Sequence, residues 1–247
     1  MTEPKPFRVE VPVAADRETV WSALTEPELI RQWFGWEDDE ADDGLDEEIR
    51  HIFVDHAEPY PPDRIALEAG QELQVEADGE RTLVRAVMPG ALDGELADVY
   101  DALEEGWRTF FEQLRYLLEQ RPAGERRTVR LTGVATGKQL LAVLDEAGPT
   151  ERWHDSRYQR IVVDAEGRLL AAAAETPLDE EAAGPVSLVV SAYGLDDAGL
   201  ADLRAEWTRR WTTAIPPGDP HDASAGDPHD ASAGDPDGEP TGDRGAE

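Results

Sequence analysis

From Leu96 to Gln120, apolar residues recur at gaps of three and four: Leu96, Val99, Leu103, Trp107, Phe110, Phe111, Leu114, Leu117 and Leu118. That spacing places them on one wide stripe of an α-helix. The opposite face carries Asp98, Asp101, Glu104, Glu105, Arg108, Glu112, Arg115 and Glu119, so it is expected to be wet. Arg121-Pro122 ends the helix, because a proline disfavours helical backbone in the residue before it. Such a stripe needs a large apolar partner, and the segments upstream offer one. Phe7–Val13 alternates apolar and polar residues, as a half-buried strand does. Asp16 is placed to cap a short helix containing Val20, Trp21 and Leu24. Pro27 opens a second short helix, Glu28 to Trp33. Further strands are predicted at Ile49–Asp55, Arg64–Ala69, Glu72–Ala77 and Thr82–Met88, with Asp78-Gly79 as a hairpin turn.

After a short linker, Ala123-Gly124-Glu125, the pattern restarts. Thr128–Val134 reads as a strand and Thr136–Leu144 as a short helix. Tyr158–Val163, Leu169–Glu175 and Val186–Tyr193 read as strands, and Asp196–Ala214 as a helix with Leu200, Leu203, Trp207 and Trp211 on one side. The order is again strand, short helix, several strands, long helix. Leu200-Ala201-Asp202-Leu203…Trp207 also echoes Leu96-Ala97-Asp98-Val99…Trp107. Residues 126–215 therefore form either a degenerate copy of residues 1–122 or a small α+β extension packed on them. From Pro216 an eight-residue Gly-Asp-Pro-His-Asp-Ala-Ser-Ala unit repeats without large apolar side chains, so residues 216–247 are expected to be a disordered acidic tail.

The stretch Asp16–Phe34 (DRETVWSALTEPELIRQWF) resembles the opening of the START-like, or SRPBCC, superfamily, and within it the proteins related to the activator of Hsp90 ATPase (AHSA1-like). Glu105-Gly106-Trp107-Arg108-Thr109-Phe110-Phe111-Glu112-Gln113-Leu114 resembles that family's C-terminal helix. The two matches bracket Phe7 to Gln120. The resemblance implies an α+β helix-grip fold, in which a curved antiparallel sheet wraps the long helix. The family usually shows six strands after the small helices, against four predicted here. It also implies a hydrophobic pocket between sheet and helix, for which Trp21, Trp33, Phe34, Trp107, Phe110 and Phe111 are the candidates, although aromatics at such spacing also serve as plain core.

Composition narrows the function. The net charge is −32, of which −8 belongs to residues 216–247, so the body is acidic as well. A negative surface repels phosphate backbones and anionic lipid, which argues against nucleic-acid and membrane binding and favours, if any protein, a partner with a basic surface. There are no cysteines, which excludes thiolate catalysis, disulfides and zinc-thiolate sites and fits a cytoplasmic setting. No cofactor motif stands out: Gly137-Lys138 lacks the glycine spacing and the Ser/Thr of a phosphate loop. The acidic run from Glu37 to Glu48 fails as a calcium loop, since Ala41 and Arg50 fall on ligand positions, and it reads as a solvated loop.

No catalytic constellation and no metal site is legible. His51 and His56 lie five residues apart, on or beside one predicted strand, and so point to opposite faces of an ideal strand. His154 falls in a Pro149–Asp155 loop and reads as a rim residue. Only Arg85, Glu76 and His51 could place polar groups in a pocket from predicted strands. The sequence thus favours a non-catalytic domain holding a small hydrophobic ligand. A co-chaperone-like interaction module comes second, and a cyclase- or hydrolase-type enzyme of the same superfamily third.

Overall fold

The computed structural model describes residues 7–37, 44–88 and 97–215, the side chains of 97–103 excepted. The expected tail, part of the acidic run, and the side chains of Leu96, Asp98, Val99, Asp101 and Leu103 lie outside the described residues.

Strand β1 (Phe7–Val13) buries Phe7, Val9, Val11 and Val13 and exposes or half-exposes the residues between, as its alternation requires. Helix α1 (Arg17–Thr25) starts where the Asp16 carboxylate accepts from the Thr19 amide at 2.9 Å. Helix α2 (Pro27–Ile30) opens on Pro27, whose fixed φ suits a first turn. Then come α3 (Gly44–Ile49), a π-helical turn over Arg50–Asp55, the short strands β2 (Glu58–Tyr60) and β3 (Arg64–Ala66), and a 3₁₀ turn at Glu68–Gly70. Strands β4 (Glu72–Asp78) and β5 (Arg81–Met88) form a hairpin around Asp78-Gly79. The first sheet runs β1-β5-β4-β3-β2, antiparallel throughout.

Helix α4 (Ala97–Gln120) lays its stripe on this sheet. Phe111 and Leu114 are fully enclosed there, with Trp107 and Phe110 nearly so. The second half contains β6 (Arg126–Ala135), α5 (Gly137–Glu146), β7 (Glu151–Asp155), β8 (Gln159–Val163), β9 (Leu169–Ala174), β10 (Gly184–Tyr193) and α6 (Asp197–Ala214). Its sheet runs β6-β10-β9-β8-β7. The two orders are the same: each opening strand pairs with the last strand of its half, and the others follow as a meander.

The second sheet is buried on both faces. Leu170, Ala172, Leu188 and Val190 pack on α5 and α6 with Trp207 and Trp211. Leu169, Ala171, Ile161 and Val189 point the other way, toward Tyr116 of α4. That is why β9 reads as a continuous apolar run and not an alternation. Helix α4 is therefore a middle layer between two sheets, and the layers run first sheet, α4, second sheet, then α5 and α6.

Several expectations change here. The predicted strand Ile49–Asp55 is helical: Ile49 and Phe53, one turn apart, both reach the core, which an extended chain with those side chains four apart would also do, but the residues between them are helix-paired. The predicted strand Arg64–Ala69 stops at Ala66, and β2 was not anticipated. Within the acidic run, Gly44–Glu48 is helix and not loop, while Glu37 binds the Thr128 amide and Arg127 at 2.9 Å each. Ala123–Glu125 is not a slack linker. At Gly124 (φ +89°) a Cβ would stand 2.5 Å from the Gly194 Cα, so the backbones touch. The polar face of α4 is wet only in part, because Thr109, Glu112, Gln113 and Tyr116 are buried against the second sheet.

Candidate active site between the long helix and the second sheet

Several side chains fasten the halves together. Buried Arg126 donates to the carbonyls of Phe34 (3.1 Å) and Gly35, and burial lowers its guanidinium to about 10. Tyr193 donates to the Gln32 carbonyl at 3.0 Å, and Tyr116 to that of Gly167. Between these anchors runs a polar seam. Gln159 donates to Thr109 Oγ1 (2.6 Å) and to the Glu105 carbonyl (3.2 Å). Ser156 donates to Glu105 Oε1 at 3.1 Å, and Ser191 to Gln113 Oε1 at 3.0 Å.

Glu112 sits in the middle of the seam with a side chain only 5% exposed. Its Oε1 lies 3.8 Å from His154 Nδ1, and its Oε2 accepts from Arg115 at 3.3 Å. Arg115 also donates to Glu119 at 3.2 Å and stacks on the Trp153 ring, 4.2 Å from its centre. Trp153 Nε1 in turn donates to the Glu112 carbonyl at 3.3 Å. Successive strand residues point to opposite faces, yet Trp153 and His154 both meet Glu112. The pairing of β7 with β8 explains it: the register slips between Arg152 and His154, and this bulge turns both side chains toward α4.

Burial dominates the titration of the pair. It pushes the Glu112 carboxyl up to about 7, against the pull of Arg115. It pushes His154 down to about 4, helped by the positive charges of Arg108 and Arg115. A carboxyl balanced near neutrality beside an imidazole held neutral is equipped to give and take protons. His154 Nε2 is buried and has no partner. His154 (18% exposed) and Arg115 (27%) give the cluster its opening to solvent.

The six aromatic pocket candidates are elsewhere. Trp33 and Phe34 meet edge-on at 5.8 Å, while Phe34 and Phe110 at 4.6 Å and Trp107 and Phe111 at 5.5 Å are tilted against each other. Trp33 Nε1 donates to the Ala23 carbonyl at 2.8 Å, and Trp107 Nε1 to Gln71 at 3.1 Å. Trp21 packs half-buried at the edge of the same cluster. Among the described residues these rings fill the space between the first sheet and α4. An open cleft of about 600 Å³ lies instead between α1, α2 and the end of α4, lined by Thr19, Ser22, Leu29, Leu117, Leu118 and Arg121. Arg85 and Glu76 project from the outer face of the first sheet, where Arg85 bonds Glu10 and Glu76, and so do not enter an interior pocket. His154 is on a strand and half-enclosed, not on a loop rim. His51 and His56 share one face, with ring centres 4.3 Å apart, contrary to the expected opposite faces. Glu112 carried no sequence signal, since any helix that stands on one sheet alone would leave that face in water.

No protein-family model and no curated protein matches the chain. Among solved structures it resembles DynU16, a protein of the dynemicin biosynthetic locus, with 21% identity over 85% of this chain and 96% of that one and a TM-score of 0.32. It resembles BexL, the di-domain ARO/CYC of the BE-7585A biosynthetic pathway, with 16% identity over 85% and 93% and a TM-score of 0.35. MLL2253 from Mesorhizobium loti resembles it over 48% of this chain and 100% of that one, with 17% identity and a TM-score of 0.35. No residue role passes from them at these identities. The expectation of a non-catalytic domain holding a small hydrophobic ligand in a cavity between sheet and helix is corrected: among the described residues the interior there is packed. No helix among the described residues is long and apolar enough to cross a membrane.

Proposed function

We propose that the chain is an acid–base catalyst of the cyclase type, built from two START-like helix-grip units, with Glu112 as its proton-transfer group. The observation that carries this reading is the meeting of Glu112 and His154 across the two halves, flanked by Arg115 and Trp153. The common strand order of the two sheets supports the duplication, and the Asp16–Phe34 motif supports the START-like assignment.

The chemistry follows from the groups present. Ionised Glu112 removes a proton from the carbon between two carbonyls of an extended substrate. Arg108 and Arg115, whose charges already act on His154, stabilise the enolate as its charge develops. The enolate carbon attacks a distant carbonyl of the same molecule, and the alkoxide takes back the proton held on Glu112. The net change is an isomerisation that closes a ring, with no other reactant. His154, kept neutral, accepts no proton from solvent at neutral pH and so leaves the cycle to Glu112.

The test uses a synthetic poly-β-carbonyl thioester with the full-length protein. Glu112→Gln is expected to lower ring closure by about 10²- to 10⁴-fold, the usual worth of a positioned acid–base group, with the fold retained. Unchanged turnover in this variant would remove Glu112 from the chemistry. If the unaltered protein forms no cyclised product above the uncatalysed rate, the cyclase reading fails.

A further inference from the structure

A second cluster lies in the first half, outside the α4 seam. His51 Nε2 stands 3.5 Å from Glu68 Oε2, and His56 Nε2 stands 3.6 Å from Glu68 Oε1. All three groups can place a ligand atom within 4.8 Å of one another. We propose that His51, His56 and Glu68 form a binding site for a borderline divalent transition ion such as Zn²⁺, with one coordination position left open.

The π-helical turn makes the pairing. In an extended strand, or a regular α-helix, residues five apart do not share a face. In a π turn the amide of residue i+5 bonds the carbonyl of residue i, which brings the two residues closer to one face; here the His56 amide donates to the His51 carbonyl at 3.2 Å and the rings stand 4.3 Å apart. The same carbonyl lies 3.0 Å from His56 Nδ1. A carbonyl only accepts, so Nδ1 carries the hydrogen, and a neutral His56 then has its lone pair on Nε2, the atom facing Glu68. A backbone carbonyl on the remote nitrogen is the usual way a ligating imidazole is oriented. The turn is itself anchored from beneath, because Ile49 and Phe53 are buried in the core. Glu68 is presented by a 3₁₀ turn next to Gln71, which accepts from Trp107 of α4.

The distances suit the ion. Ligand atoms about 2.0–2.1 Å from a tetrahedral metal stand roughly 3.3–3.4 Å from one another. Each histidine stands within a few tenths of an ångström of that from one of the two Glu68 oxygens, and one ligand atom from each of the three residues lies within 4.8 Å of the others, so small side-chain adjustments close the set on an ion. Two imidazoles and one carboxylate are the ligand set of three-ligand zinc sites that keep a water, and of sites for neighbouring ions in the series. All three side chains are about half exposed, so the fourth position faces solvent. This site is independent of the reading placed on Glu112.

The test titrates Co²⁺ alone into the full-length protein while recording histidine ring resonances by NMR. His51 and His56 are expected to broaden first and together, and equimolar Zn²⁺ should suppress the effect. His51→Gln, His56→Gln and Glu68→Gln are each expected to weaken Co²⁺ binding by more than about 100-fold, since even outer partners of metal ligands are worth 10- to 100-fold. Circular dichroism of each variant establishes that it is folded. Broadening confined to His221 and His229, or affinity unchanged in the three variants, would overturn the site.

Discussion

Trp107 shows what one residue contributes when both ends of its side chain are used. Its ring packs against Phe110 and Phe111, and its Nε1 donates to Gln71. Trp107→Ala is expected to cost about 3–5 kcal/mol, as truncation of a buried aromatic does, measurable by urea denaturation. A loss below about 1 kcal/mol would mean the site is loosely packed. Gly124 is the other decisive residue. It has positive φ and touches Gly194, whose amide donates to the Glu125 carbonyl at 2.9 Å. Gly124→Ala forces the two backbones apart and is expected to cost about 2 kcal/mol or more. The same substitution at Gly79, also at positive φ but in open space, brings strain without a clash and should cost less.

At the scale of elements, the contact of α4 with β7 has a pH signature. Glu112 is raised in the fold from 4.5 to about 7, so the native state holds its proton more tightly. Its contribution is full below pH 4.5 and is lost as pH rises to about 7, on the order of 3 kcal/mol in all. His154 is lowered from 6.5 to about 4, so the unfolded state binds that proton more tightly. Its contribution is full above pH 6.5 and is lost as pH falls to about 4, by a similar amount. Between about pH 4.5 and 6.5 the two oppose each other and the pair leaves stability nearly level. Glu112→Gln removes one slope, and the variant should gain stability relative to the parent as pH rises through that window. His154→Gln removes the other, and that variant should lose it. Denaturation midpoints from pH 4 to 8 read both differences, and parallel profiles for parent and variants would show that the pair is not coupled to folding.

At the scale of the molecule, α4 is shared. One face closes the first core and the other closes the gap to the second sheet, with Tyr116, Trp153, Ile161, Leu169 and Val189 as the apolar part of that contact. A chain ending at residue 122 leaves Tyr116 and the seam of Thr109, Glu112 and Gln113 against water. Its melting temperature is expected to fall by about 10 °C or more relative to the full chain, given the few degrees that each kcal/mol is worth in a domain of this size. Equal melting temperatures would mean that the halves fold as independent units.

Much of this architecture was written in the order of residues. Regular periods fixed β1, α1, α4, the β4–β5 hairpin and most of the second half, because burying one face of a strand or helix demands a repeat of two or of three and four. Asp16, Pro27 and Asp78-Gly79 marked boundaries through local hydrogen bonding and backbone preference alone. The aromatic residues were legible as interior but not as core rather than cavity, since that depends on how closely the sheet and helix approach. Both chemical clusters were out of reach of local patterning, Glu112 because its face reads as wet and the side chains around the two sites because of local irregularities. Trp153 and His154 converge on Glu112 through a bulge, and His51 and His56 converge through a π turn. Each is a one-residue departure from the ideal repeat, stabilised by packing between elements distant in the chain. A reading by ideal periods puts His51 and His56 on opposite faces and leaves Trp153 and His154 in a loop, and only the tertiary contacts that hold the departures in place bring each pair together.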